Sequence, residues 1–143
     1  MGLHNVSVTG AHQMKTKISV LSIVCSALLI FTSSAFADSA AVRTMADVTM
    51  NLNHFPSDSD KQKLSAITDS DDSSKSELAV ATAIMNIKHH VTEADKQMLN
   101  SINGDESAPA ELRELAGILV NINHRPTESD VEKLAAIVAD SDR

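Results

Sequence analysis

The sequence predicts an all-α protein of three tandem 35-residue helical hairpins, about six short helices, behind a signal peptide. Three observations predict it. A ten-residue phrase is written three times, as NLNHFPSDSD from Asn51, NIKHHVTEAD from Asn86 and NINHRPTESD from Asn121, in a register of 35 residues without a gap. Mostly apolar residues recur at positions 45, 48, 49 and 52 and their equivalents, the i, i+3, i+4, i+7 spacing of one buried helix face. Within each phrase Ser57, Thr92 or Thr127 is followed three residues later by Asp60, Asp95 or Asp130, a helix-start signal in which the hydroxyl takes an orphan amide and the acid reaches back.

In chain order, residues 1–13 carry no pattern and read as an upstream extension or a mis-assigned start, because the two lysines that would open a leader, Lys15 and Lys17, follow Met14. Residues 14–37 have the layout of a secretory signal peptide: the lysines, an apolar run from Ile18 to Phe31, and small residues around Ala35 and Ala37. The run is too short for a stable membrane span. Cys25 lies in mid-run, followed by further apolar residues, which argues against a lipid-anchored cysteine. The expectation is an exported protein, periplasmic or secreted, with no membrane span after cleavage and a single helical-repeat domain over 38–143, in units of about 38–72, 73–107 and 108–143.

All nineteen acidic residues but only ten of the twelve basic ones follow residue 37. Such an acidic chain is unsuited to nucleic acid, whose binding needs clustered Lys and Arg to displace counterions, and to anionic lipid surfaces. It also has no cysteine after Cys25, and its only Phe, Tyr or Trp there is Phe55. The fold must rest on aliphatic packing.

The first helix of each unit presents Met45, Val48 and Leu52, or Val80, Ala83, Ile84 and Ile87, or Leu115, Ile118, Leu119 and Ile122. It should stop near His54, His89 or His124, since Pro56 and Pro126 disfavour helical geometry in the residue before them; the middle copy has Val91 instead and lacks that stop. The second helix opens at the capping pair, has Asp58, Glu93 or Glu128 at the positive end of its dipole, and buries Leu64 and Ile67 or their counterparts. It ends in the acidic linkers TDSDDSSKS and NGDESAP, with Gly104 as a C-cap. Six positions hold one residue type in all three copies, at Ala46, Asn51, His54, Asp60, Leu64 and Ile67 and their equivalents. The unit length is close to that of the tetratricopeptide repeat, about 34 residues; its Trp, Gly, Tyr and Phe signature is absent, so the resemblance is to helix-turn-helix arrays in general. A unit this small cannot bury its apolar faces alone, and neighbours must stack.

Chemistry concentrates at the repeated corner. Asn51 and His54, with their copies, are i and i+3 neighbours and offer an amide and an imidazole. In the structural reading the histidine terminates the first helix, donating to its free carbonyls, while the asparagine bonds across the corner. In the other, His54, His89, His90 and His124 bind Cu(II), Ni(II) or Zn(II), with nearby carboxylates as further candidate ligands. A linear stack argues against one shared ion: equivalent atoms would lie about 8–10 Å apart per helix layer, whereas zinc needs each nitrogen within about 2.0–2.1 Å. Only a closed, threefold-like arrangement would bring the histidines together. The acids of the capping pairs already have a task, and Asp69, Asp71 and Asp72 lack the glycine and the glutamate of a calcium loop, Val80 standing where the latter belongs. With no cysteine nucleophile, phosphate loop or G-x-S-x-G, no catalytic residue, cofactor or enzyme activity is expected. The leading expectation is a non-catalytic interaction or scaffold module for a protein or peptide partner. The alternative is a periplasmic metal-binding or metal-buffering protein using the four histidines.

Overall fold

The computed structural model describes residues 34–140. They form six helices: α1 (Ser34–Met50), α2 (Asp58–Thr68), α3 (Lys75–Met85), α4 (Glu93–Asn103), α5 (Ala110–Asn121) and α6 (Glu128–Asp140). No strand occurs among the described residues, only isolated bridges at the corners, and no helix there is long and apolar enough to cross a membrane. The upstream extension and the signal peptide lie outside the described residues, except for Ser34 to Ala37 at the start of α1.

The repeated apolar face is the buried one. Met45, Val48, Thr49 and Leu52, with their counterparts in α3 and α5, are all 5% exposed or less. Thr49 takes an apolar position by donating its hydroxyl to the Met45 carbonyl at 2.7 Å, which satisfies the group inside its own helix. Ala46, Ala81 and Ala116 are fully buried on the same helices, and their small side chains leave room for close helix approach. On α2, α4 and α6 the buried residues are Leu64 and Ile67, Leu99 and Ile102, and Leu134 and Ile137; cutting one of these leucines to alanine would cost about 2–5 kcal/mol.

Helices α1, α3 and α5 pack on one another in all three pairings and form the centre. Around them α2 bridges α1 and α3, α4 bridges α3 and α5, and α6 bridges α5 and α1. Each outer helix packs more extensively on the inner helix of the next unit than on its own hairpin partner. The contact of α6 with α1 closes the circle, so the three hairpins form a ring and not the linear stack expected from the sequence. The physical reason is that the first and last units carry the same apolar faces as the middle one, and only closure buries both ends.

Local signals place the helix ends. Ser57 accepts from the Asp60 amide at 3.1 Å and the Ser57 amide donates to the Asp60 carboxylate at 3.2 Å; Thr127 and Asp130 repeat this reciprocal pair, and Thr92 accepts from the Asp95 amide. Gly104 caps α4 with φ −88°, in the right-handed region, so it is not there for conformational freedom. A further capping box, Ser74 with Glu77, opens α3. Helix α3 ends in the same register as α1, short of His89 and without a proline, its C-cap Asn86 donating its backbone amide to the Thr82 carbonyl at 3.1 Å. Val91 is buried where Pro56 and Pro126 are, so packing positions the middle corner without the constraint of a proline ring.

Candidate metal centre

Each corner leaves the body between two buried anchors, Leu52 and Pro56, Ile87 and Val91, or Ile122 and Pro126, with three exposed residues between them and a histidine at the tip. In the first and last corners the bond across the tip is that of a γ-turn: Phe55 donates to the Asn53 carbonyl at 2.9 Å and Arg125 to the Asn123 carbonyl at 2.8 Å. The histidines carry the strain of these corners. His54, His89 and His124 have φ of 70°, 73° and 66°, the only positive values among the described residues, glycines included. A left-handed conformation costs a non-glycine residue roughly 1–2 kcal/mol, and glycine or asparagine is the usual occupant.

The ring fold brings the three tips to one point. The His54 amide donates to the His124 carbonyl at 2.6 Å, the His89 amide to the His54 carbonyl at 2.7 Å, and the His124 amide to the His89 carbonyl at 2.5 Å. These bonds run head to tail in a closed circle and satisfy both main-chain groups of every tip. Above them the imidazoles stand edge to face, with centroids 5.2, 5.1 and 4.9 Å apart. One nitrogen from each ring lies within 4.8 Å of one from each of the others, and all three side chains are exposed. Closing that triangle to the ~3.3 Å spacing of nitrogens on one tetrahedral zinc takes a movement of about 1 Å per ring, within reach of exposed side chains. Helices α1, α3 and α5 all run into these corners at their C-termini, the ends whose dipoles favour a cation.

Of the four histidines read from the sequence as metal ligands, the structure brings together His54, His89 and His124; His90, exposed beside them, is outside the group. The helix-terminating role is corrected. The ring nitrogens of His54 and His124 meet the neighbouring Asn53 and Asn123, each Nδ1 lying 2.7 Å from the amide Oδ1, and not the last carbonyls of the helices. Asn51 does not bond across the corner: its amide donates back to the Asp47 carbonyl at 2.8 Å, as Asn121 does to Gly117 at 3.0 Å. No carboxylate joins the histidine group among the described residues, and Asp60, Asp95 and Asp130 are held in their caps.

Asn53 and Asn123 are what sequence reasoning missed. Their signal was present, as an Asn-His dipeptide in the outer copies where the middle one has Lys88-His89. Because a carbonyl oxygen can only accept, an Asn oxygen bonded to Nδ1 holds the ring proton there and leaves the free lone pair on Nε2. That is how outer groups orient metal-ligating histidines. The chain matches no described protein family, no curated protein and no solved structure.

Proposed function

We propose that the protein binds one divalent transition-metal ion, Zn(II), Cu(II) or Ni(II), through His54, His89 and His124, and that as an exported protein it does so in the periplasm or outside the cell. The observation that carries this reading is the placing of three imidazoles on one point by three strained corners. Imidazole suits these ions, and three protein ligands leave a position for water or an incoming group. A neutral hydrogen-bonded corner needs no histidine at positive φ; repeating it three times, where glycine would be unstrained, is accounted for by the ligand. The scaffold reading has less support. Open arrays bind partners along an extended concave face, which a ring with its inner helices packed together does not offer, and Phe55 is the one large apolar side chain exposed among the described residues, at 61%.

Calorimetric titration with each ion tests the proposal. The expected result is one ion per chain, with a rise in melting temperature equivalent to about 2.7 kcal/mol when free metal reaches a hundred times Kd. His54→Gln, His89→Gln or His124→Gln should each weaken binding by more than the ~10–100-fold typical of outer-shell losses, and His90→Gln should leave it unchanged. No heat and no thermal shift with any of the three ions would end this reading.

A further inference from the structure

The three arms of the centre are not equal, and their inequality falls wholly on the middle unit. His54 and His124 each have an Asn beside them whose oxygen lies 2.7 Å from Nδ1. At the equivalent place His89 has Lys88, whose ammonium carries donors only. It cannot accept from Nδ1, so it cannot hold the proton there, and a hydrogen bond from it to Nδ1 would place the ring proton on Nε2, where a metal would have to bind. Its charge also opposes a cation. The backbone shows the same difference. The outer corners are bound across the tip at 2.9 and 2.8 Å and followed by Pro56 and Pro126, whose rings lock φ; the middle corner is joined by a Lys88 amide to His90 carbonyl contact of 3.4 Å and followed by Val91.

We propose that this is an exchange site: His54 and His124 are two fixed arms that hold the ion through Nε2, and His89 is a releasable arm whose departure frees a coordination position for an incoming ligand, so that the ion is passed on and not stored. Asn53, Asn123 and Lys88 are the positioning residues that set this division. The inference rests on the metal-binding reading above. The ligand class is a borderline divalent ion, and the incoming group is any nitrogen or oxygen donor able to take the place of one imidazole.

The test uses the full exported chain in two measurements. In the metal-free protein, nitrogen-15 NMR of the imidazoles should show His54 and His124 with the proton on Nδ1 and His89 without that preference. In Zn(II) titrations with a competing chelator, Asn53→Ala and Asn123→Ala should each lose about 10–100-fold in affinity, and Asn53→Asp, which keeps an acceptor, should restore it. Lys88→Asn should move His89 to the Nδ1-protonated form, tighten binding by about 10-fold or more and slow release to the chelator. A merely structural role for Lys88 would change stability without changing the tautomer or the release rate. Wild-type protein that binds no metal defeats the metal-binding reading and this inference with it. Wild-type protein that binds metal, with three rings of one tautomer or with Lys88→Asn releasing as fast as wild type, defeats the exchange inference alone.

Discussion

At a single corner, the side chain and the backbone of the histidine pull in opposite directions. The backbone at φ near 70° would be more comfortable with another residue, and the ring makes no bond to the helices it joins. In the metal-free protein, His124→Asn should therefore leave stability unchanged or raise it, because Asn tolerates the left-handed region; a histidine that held the corner would instead show a loss of about 0.5–1.5 kcal/mol for its hydrogen bond. Urea denaturation with chelator present measures the difference. The candidate residues were legible in the sequence because their recurrence at 35-residue spacing needs no structure to be seen. Their task was not, because positive φ leaves no mark on a histidine's identity, and a corner residue followed by proline reads equally well as a helix stop.

Among the helices, what was legible was what is local. The buried faces of α1, α3 and α5 follow from residue spacing, and the starts of α2, α4 and α6 from their Ser or Thr and Asp pairs. The capping box of α2 makes a prediction with a pH dependence. The Asp60 carboxyl is held below the ordinary carboxylate range by the Ser57 hydroxyl first, with partial burial opposing and the Ser57 amide and Lys63 adding. Its stabilising effect is therefore complete above its unfolded-state pKa of about 3.9 and is lost as pH falls through the lower folded value. Ser57→Ala should lose about 1 kcal/mol at pH 7, and the gap to wild type in urea midpoints should narrow below about pH 4. For α3 the sequence offers no proline stop, and packing takes its place: Val91 is held in the core, and the chain turns without the ring constraint.

For the whole molecule, closure is the property that the repeats did not announce, since a period of 35 residues is common to open and closed arrays. One sign of it could have been read: open arrays need end units with a polar outer face, and neither end of this chain has one. Excising residues 73–107 would leave a folded, shorter protein if the hairpins were stacked in a line. In the ring it removes α3 and α4, exposes the apolar faces of α2 and α5, and takes away His89. The shortened chain is expected to be unfolded or to associate with further copies, as judged by circular dichroism and sedimentation. The three seams between units add a last consequence. Two of them, α2 with α3 and α4 with α5, are spanned by a linker; the third, α6 with α1, has no covalent connection, yet it packs as fully as the other two. Chain continuity is therefore not what holds a seam shut. The order in which the hairpins are written is a property of the polypeptide and not of the ring, whose circle of main-chain bonds has a direction of travel but no first member.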